Sequence, residues 1–457
     1  MKKNTPACFI IVFCFSVLVS VNLSAQHAVS TLCGTSAQGN PLSGPNGMCI
    51  TPDGTTLYVV DYTAHSIKKV IIASGTATNY AGSGTSGYAD GAASTSQFSY
   101  PSGIKISSDG TTLYISDNGN CLIRKIDLSN NMVTTIAGVY NAFAFADSSD
   151  GLQAKFNQPI DIAIAPGDSV LYVSDSENHL VRKVNLVTTA VTTVAGTPGS
   201  FGSANGIGSA AKFRNPNGLS LSADGLTLFV ADAGNHKIRK INLANNLVST
   251  LAGTGASGSS DNAVGSLATF NSPQGVAVLP DASVVYVTDT YNSIIRQIDV
   301  ATTSVTTIAG GGSTPTVHFA DNPVGLSAKF WYPANAVLSA GMDKLYISDQ
   351  QNFRVRTMLT DIPTSTEGAI HQAISPVTVY PNPVNDFLTL EIQAREKTEM
   401  NYRIISVDGK RVFDNGPMII QAGSNTNKIN CGKLKPGTYV LQYFIKNKSY
   451  HFQFQKI

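Results

Sequence analysis

Leu113-Tyr114-Ile115-Ser116-Asp117 is an apolar run closed by an aspartate, and the chain of 457 residues repeats this pattern six times. Short runs rich in Leu, Val, Ile and Tyr are typical of β-strands. Successive closing aspartates are 56 to 60 residues apart, at Asp61, Asp117, Asp175, Asp232, Asp289 and Asp349. This regular spacing predicts an array of similar β-units that pack against one another.

Each repeat contains four short segments. A start such as Pro101-Ser102-Gly103 opens the first segment, and in three repeats an Asp-Gly turn such as Asp109-Gly110 leads into the aspartate-closed second segment. A third segment follows a polar turn, and the fourth ends in a signature such as Thr134-Thr135-Ile136-Ala137-Gly138. Four antiparallel strands per repeat form one blade of a β-propeller, so we predict an all-β fold with six blades.

The sixth repeat lacks its fourth segment. A stretch of that type, Val29-Ser30-Thr31-Leu32-Cys33-Gly34, stands before the first repeat. We predict that this N-terminal strand pairs with the sixth blade, because the pairing would close the six-bladed β-propeller and cover two exposed strand edges.

The two ends of the chain differ from the repeats. Lys2 and Lys3, the apolar run at 9–18 and a small-residue site ending at Ala25 predict a signal peptide over residues 1–25. An uncleaved membrane anchor is the alternative, but the run is short, and we expect no transmembrane segment after cleavage. We assign residues 26–359 to the propeller, 360–375 to a linker, and 376–457 to a small C-terminal β-sandwich with alternating apolar runs.

The overall charge and the cysteines exclude some functions. The formal net charge of +2 gives no field that would attract nucleic acid, so we expect no nucleic-acid partner. Cys33, Cys49, Cys121 and Cys431 remain after signal cleavage and lack the spacing of a zinc site. We expect them to be buried small apolar residues, with a disulfide between Cys33 and Cys49 left open.

Two repeats carry a recognisable motif. Asp232-Ala233-Gly234-Asn235-His236-Lys237-Ile238-Arg239 and Asp175-Ser176-Glu177-Asn178-His179-Leu180-Val181-Arg182 resemble the NHL repeat, and the resemblance covers about residues 28–358. It implies a propeller fold but no single activity. Such repeats occur in protein- and RNA-binding modules, in an amidating lyase and in many exported bacterial proteins.

The C-terminal region resembles the sorting domain of the type IX secretion system of Bacteroidota. The residues that carry this resemblance include Tyr380, Pro381, Asn382, Pro383, Asp408, Gly409, Lys410 and Gly437. The resemblance implies that the secretion machinery is a partner and that the protein crosses the outer membrane to the cell surface or the medium. An immunoglobulin-like adhesion module is the alternative interpretation.

Each repeat aspartate has a basic residue seven positions later. The pairs are Asp61 with Lys68, Asp117 with Arg124, Asp175 with Arg182, Asp232 with Arg239, Asp289 with Arg296, and Asp349 with Arg356. These residues would form either a basic ring that faces a ligand or a structural pair within each blade. Sixfold repetition favours the structural role, because a binding or catalytic site needs its residues only once.

Two further patterns suggest metal ions. His65, His179 and His236 each lie four residues after a repeat aspartate and would bind zinc if they converged on the propeller axis. Connections such as Tyr88-Ala89-Asp90-Gly91 would supply carboxylates for calcium. We favour structural roles, with the histidines as turn residues and each connection fixed by a buried phenylalanine such as Phe98. The sequence requires no cofactor and leaves calcium and zinc open.

Residues that depart from the repeat are the better candidates for function. Glu177, His318 and Trp331 are such departures and form our candidate ligand surface. The sequence has no nucleophile elbow, phosphate-binding glycine loop or HExxH motif. We therefore favour a monomeric, exported module that binds a protein or a glycan. The alternative is a propeller enzyme, a metal-dependent hydrolase or lyase with its site in the axial channel.

Overall fold

The described part of the chain is built from β-strands and short 3-10 turns, with no α-helix. The computed structural model describes residues 27–34, 42–311, 318–360, 378–380, 384–394, 397–406, 411–421, 423–445 and 448–456. The chain divides into two compact units, residues 1–359 and 360–457. The predicted signal peptide and residues 361–375 of the predicted linker lie outside the described residues. The all-β class predicted from the sequence is confirmed.

Six antiparallel sheets form the described part of the first unit. Sheet 1 contains β2 (Pro45–Ile50), β3 (Thr56–Asp61), β4 (Ser66–Ile71) and β5 (Thr76–Ala81). Sheet 2 contains β6 (Gly91–Ala92), β7 (Pro101–Ile106), β8 (Thr112–Asp117), β9 (Leu122–Asp127) and β10 (Met132–Ala137). Sheet 3 contains β11 (Pro159–Ile164), β12 (Val170–Asp175), β13 (Leu180–Asn185) and β14 (Val191–Ala195).

The other three sheets follow the same plan. Sheet 4 contains β15 (Gly206–Ile207), β16 (Pro216–Leu221), β17 (Thr227–Asp232), β18 (Lys237–Asn242) and β19 (Leu247–Ala252). Sheet 5 contains β20 (Val276–Val278), β21 (Val284–Asp289), β22 (Ile294–Asp299) and β23 (Val305–Ala309). Sheet 6 contains β24 (Pro333–Leu338), β25 (Lys344–Asp349), β26 (Arg354–Leu359) and the N-terminal β1 (Val29–Cys33).

The N-terminal strand completes sheet 6. Strand β1 pairs antiparallel with β26, with Val29 opposite Met358 and Thr31 opposite Arg356. The Thr31 hydroxyl and amide also donate hydrogen bonds to the Asp321 carboxylate, at 2.9 and 3.1 Å. This is the pairing that the missing fourth segment of the last repeat predicts.

The first strands of the six sheets contact one another in a closed cycle, in the order β2, β7, β11, β16, β20, β24 and back to β2. Their opening residues approach closely, since a Cβ atom on Gly103 would lie 2.7 Å from the Asp161 Cα atom. In five sheets the opening proline pairs opposite the repeat aspartate, as Pro101 does with Asp117. The repeat aspartates therefore lie at one common end of the sheets.

The core of the first unit lies between neighbouring sheets. One apolar cluster joins Tyr58 and Val60 of sheet 1 to Ile104 and Ile115 of sheet 2, and similar clusters join sheets 2 and 3, 3 and 4, 4 and 5, and 6 and 1. The connections into sheets 2 to 6 each add one fully buried ring to this core: Phe98, Phe156, Phe213, Phe270 and Phe330. A sheet that loses its neighbour would expose one of these clusters, so the sheets stabilise one another.

The second unit contains two antiparallel sheets in its described residues. One contains β27 (Thr378–Tyr380), β28 (Phe387–Ala394) and β31 (Gly423–Asn430). The other contains β29 (Thr398–Ser406), β30 (Arg411–Ile420), β32 (Gly437–Ile445) and β33 (Lys448–Lys456). Both sheets contribute to one core, through residues such as Leu390 of β28 and Ile404 of β29.

Candidate functional site

Each repeat aspartate begins the turn that joins the second strand to the third. In sheet 2, one Asp117 oxygen accepts a hydrogen bond from the Ser99 amide at 2.8 Å. The other oxygen accepts from Asn120 Nδ2 at 2.8 Å and from Arg124 Nη1 at 2.7 Å. Side-chain exposure is 0% for both members of this ion pair. The aspartate thus fixes the turn, the third strand and the incoming connection to one another.

The arginine of each pair is also bound by the incoming connection. Arg182 donates to Asp175 and to Asp147, both at 2.7 Å, and its guanidinium lies over the Phe145 and Phe156 rings at 4.8 and 5.0 Å. Ion pairs of 2.7 to 2.9 Å with the repeat aspartate recur at Arg124, Arg182, Arg239, Arg296 and Arg356. Sheet 1 departs from this pattern, because the Lys68 ammonium lies 3.9 Å from Asp61.

Burial raises the pKa of the repeat aspartates. Burial raises the pKa of Asp117 and of Asp175 to about 6, although the arginine of each pair opposes the shift. The same cause raises the pKa of Asp61, Asp232, Asp289 and Asp349. Where water is excluded the charged form of a carboxyl is unfavourable, and the arginine of each pair stabilises it.

The acidic residues of the connections accept hydrogen bonds from the same arginines. Asp147 accepts from Arg182 through one oxygen and from the Thr193 amide of the fourth strand through the other, at 3.0 Å. Asp90, Asp261 and Asp321 make the equivalent contacts in their sheets. The described residues contain no group of three or more His, Cys, Asp or Glu side chains that could hold a metal ion.

The three histidines link neighbouring sheets. Nδ1 of His65 accepts a hydrogen bond from the Tyr100 amide at 3.0 Å, and Nδ1 of His236 accepts one from the Ser272 amide at 3.0 Å. His179 lies in the same way, 3.3 Å from the Asn215 amide. Each amide belongs to the segment that leads into the next sheet, at the residue before the opening proline of that repeat. The structure therefore gives each histidine a neighbouring backbone partner and does not bring the three together.

A cavity of about 230 Å³ lies among the closing residues of the first strands, at the end of the sheets opposite the repeat aspartates. Its lining is mostly aliphatic, with Lys105 and Cys49 as the ionisable residues. Burial raises the pKa of the Cys49 thiol to about 12, so this thiol is neutral near pH 7. Cys33, Cys49, Cys121 and Cys431 are all buried, and none forms a disulfide.

The end with the aspartates carries the exposed aromatic rings. We define the turn face as the turns after the six repeat aspartates together with the connections that reach them. The exposed aromatic residues of the described part of the first unit are Tyr88, Tyr100, Tyr140, Phe143, Phe145, Phe201, Tyr291, Phe319, Tyr332 and Phe353. All belong to the turn face. The large apolar residues exposed elsewhere on this unit are aliphatic or methionine, such as Met132, Val187 and Leu226.

The predicted ligand residues lie on the turn face but not in one place. The His318 and Trp331 rings stack at 4.3 Å beside sheet 6. Glu177 lies in the turn of sheet 3, where it accepts a hydrogen bond from Asn215 Nδ2 at 2.7 Å. The repeat pattern identified these three as departures, but it did not show that exposed rings cover the whole face.

Of the predicted sorting-motif residues, Tyr380 ends β27 and Gly437 begins β32. The remaining residues, Pro381, Asn382, Pro383, Asp408, Gly409 and Lys410, lie outside the described residues. In the part of the chain that the structure describes, no helix has the length and hydropathy to cross a membrane.

Comparison with known families shows which family the C-terminal unit matches. Residues 378–456 match the secretion system C-terminal sorting domain. This domain directs proteins through the type IX secretion system to the cell surface or the extracellular space. The protein is therefore exported by that machinery.

The repeat region is similar to NHL repeat proteins. The NHL repeat-containing protein 2 of Bos taurus is 28% identical over 357 residues, covering 72% of this chain and 48% of that protein. The chloroplastic protein SUPPRESSOR OF QUENCHING 1 of Arabidopsis thaliana is 30% identical over 236 residues, covering 48% of this chain and 22% of that protein. The chain thus spans less than half the length of these curated relatives.

Solved structures from Bacteroides thetaiotaomicron share the fold. A protein of unknown function superimposes with a TM-score of 0.55 at 16% identity, covering 73% of this chain and 76% of the other. An auxiliary nutrient binding protein gives a TM-score of 0.54 at 17% identity with the same coverage. At these identities the likeness is one of fold alone.

Proposed function

We propose that this exported protein is a binding module whose turn face holds a protein or glycan ligand outside the cell. The observation that carries the proposal is the segregation of exposed side chains, with aromatic rings on the turn face and none exposed elsewhere on the described first unit. Aromatic side chains offer large contact area at a low entropic cost and are enriched in binding sites. A binding role also fits the auxiliary nutrient binding protein that shares this fold.

The proposed organisation follows the repeat. Sheets 1 to 6 would be the blades of a β-propeller over residues 26–359, closed by β1, after a signal peptide at 1–25. Residues 360–375 would be the linker, and 376–457 the sorting β-sandwich. The cyclic contacts of the first strands and the shared core of the two C-terminal sheets support this arrangement. We also propose that the protein is a monomer and that the Asp/basic pairs have a structural role in it.

The test is a ligand screen with matched variants. The full chain is presented with surface proteins and polysaccharides, and hits are measured by isothermal titration calorimetry. A variant with Tyr140→Ser, Phe143→Ser and Phe201→Ser removes rings from the turn face. Its control carries Val187→Ser and Leu226→Ser, which remove apolar side chains exposed away from that face.

We expect the first variant to weaken binding at least about tenfold, the effect of losing roughly 1.4 kcal/mol, and the control to bind normally. A ligand that the control loses and the first variant retains would place the binding surface elsewhere. Equal melting temperatures of the two variants would show that neither result comes from unfolding.

A further inference from the structure

Sheet 6 departs from the repeat at three linked positions of the turn face. The residue whose amide binds the repeat aspartate is Ser99, Asn157, Arg214 or Asn271 in other sheets, but Trp331 in sheet 6. The carbonyl that accepts from the turn asparagine belongs to Gly87, Ala144, Gly202 or Gly258, but to His318 in sheet 6. The residue that ends the turn is His, Cys or Ser in the other sheets but Phe353 in sheet 6.

Two of these departures, His318 and Trp331, stack on each other beside a buried asparagine, Asn352. Asn352 Nδ2 donates to the His318 carbonyl at 2.8 Å, and the Asn352 carbonyl accepts from Arg354 Nη1 at 2.8 Å. The Arg354 guanidinium lies 4.1 Å from the centre of the Phe319 ring. We name His318, Phe319, Trp331 and Arg354 the Trp331 cluster, since the Asn352 bonds and the ring stacking hold them together.

The Trp331 cluster has unsatisfied hydrogen-bonding capacity and an uncompensated charge. Nε of Arg354 and Nδ1 of His318 are buried and have no hydrogen-bond partner. Within the described residues Arg354 forms no ion pair, whereas the nearby Arg356 is paired with Asp321 and Asp349. Buried polar atoms without partners are unusual in folded proteins, and a bound ligand would satisfy these two once the side chains turn to expose them.

We propose that the Trp331 cluster is the subsite for a carboxylate-bearing sugar, a uronic acid residue of an acidic glycan. The aromatic rings offer flat apolar surfaces on which a pyranose ring can lie, and Arg354 supplies the charged donor that a carboxylate requires. This inference rests on the proposed binding function and names the class of its ligand. A neutral glycan would leave the Arg354 charge unpaired, and an acidic peptide is the competing outcome of the test.

The only tryptophan of the chain is Trp331, so its fluorescence reports directly on this subsite. The full chain is titrated with polygalacturonate, alginate and hyaluronan, each in parallel with its methyl ester, and with polyglutamate. We expect at least one acidic glycan to change the Trp331 emission, and its ester to bind at least about tenfold more weakly, as for one lost charge-assisted hydrogen bond.

Variants locate the effect by calorimetry. Arg354→Gln and Trp331→Ala should each weaken binding about tenfold or more. Lys237→Gln is the matched control for charge, because Lys237 begins the third strand of sheet 4 as Arg354 does in sheet 6. Tyr88→Ala tests an exposed ring elsewhere on the same face and should weaken binding less than Trp331→Ala does. Lys237→Gln should bind within about twofold of the parent chain, a change of less than about 0.5 kcal/mol.

The outcomes separate this inference from the proposed function. Esters that bind as well as the acids, or an effect of Tyr88→Ala that Arg354→Gln lacks, would overturn the uronate subsite and leave a binding face. Tighter binding of polyglutamate than of every glycan would also overturn the sugar assignment. If no acidic glycan binds, the inference fails, and the broader screen then decides the proposed function by itself.

Discussion

Replacing Arg182 by methionine is the sharpest perturbation of the repeated ion pair. Methionine keeps an apolar stem between Phe145 and Phe156 but removes every hydrogen bond of the guanidinium. The change leaves the fully buried Asp175 carboxylate with its bonds from Asn157 and Asn178 and without a counter-charge.

The magnitude follows from the titration of that carboxyl. Protonating a carboxyl of ordinary pKa 3.8 at pH 7 costs about 4 kcal/mol, at 1.36 kcal/mol per pH unit. Because Asp175 can take up a proton instead of remaining charged, its unpaired charge cannot cost more than this amount. Breaking a buried pair typically costs about 3–5 kcal/mol. Taking the two limits together, we expect Arg182→Met to lower the free energy of unfolding by about 3–4 kcal/mol at pH 7.

The same reasoning makes the loss depend on pH. At pH 5 protonation of the carboxyl costs less than about 2 kcal/mol, so the effect of Arg182→Met should shrink by about 2 kcal/mol or more. Denaturant unfolding followed by Trp331 emission measures this effect within the first unit, because the second unit has no tryptophan.

Two matched variants complete the design. The double variant Asp175→Asn with Arg182→Met should be less destabilised than the sum of the single changes, with a coupling of about 2 kcal/mol at pH 7. Asp147→Asn alters the arginine's other partner, which is 40% exposed, and should cost about 1 kcal/mol or less. An effect of Arg182→Met that is the same at pH 5 and pH 7 would refute the argument, because the cost would then not come from an unpaired carboxylate.

Two further predictions concern contacts between sheets and closure of the unit. Burial, with the Arg214 charge adding to it, lowers the pKa of His236, so the folded state binds fewer protons than the unfolded state and stability falls as the pH drops below about 6.5. His236→Ser should therefore make the free energy of unfolding less dependent on pH below about 6.5. The change should cost at most about 1 kcal/mol, for the lost hydrogen bond from the Ser272 amide. Denaturant midpoints measured against pH test both effects. Thr31→Pro removes both hydrogen bonds to Asp321 and should cost about 2 kcal/mol or more by calorimetric melting, whereas Thr31→Val should retain the amide bond and cost less. Equal melting temperatures for these two variants would contradict the proposed role of β1.

The repeat predicted the sheets well because each structural requirement recurs in five or six of the repeats. The closing aspartate, the paired basic residue and the need for β1 were all visible as a shared pattern or as one missing member of it. Burial of Phe98 and its equivalents was predicted in the same way, and all five rings are fully buried. A recurring residue signals a recurring contact even before its partner is known.

The partners themselves were less predictable. Asp147 and its equivalents were interpreted as surface-loop residues or calcium ligands, because sequence spacing does not show that each reaches an arginine 34 or 35 residues later. The two-residue strands β6 and β15 also went unpredicted, since Gly91–Ala92 and Gly206–Ile207 have no strand character of their own. Their pairing with β10 and β19 comes from the path of the connection.

The pairing of β1 with β26 also has a mechanical consequence. The chain enters and leaves the first unit side by side, since the Leu359 amide donates to the Ala28 carbonyl at 3.0 Å. Tension applied between the two ends would load this antiparallel pair at one end, and its hydrogen bonds would break one after another. Tension between the C-terminus and a ligand on the turn face would enter through β26, which β25 also holds, and would not pull on the N-terminal end of β1. A molecule held at its C-terminus in flowing medium could thus bear load through its ligand without the two strands of the pair being pulled apart from both ends.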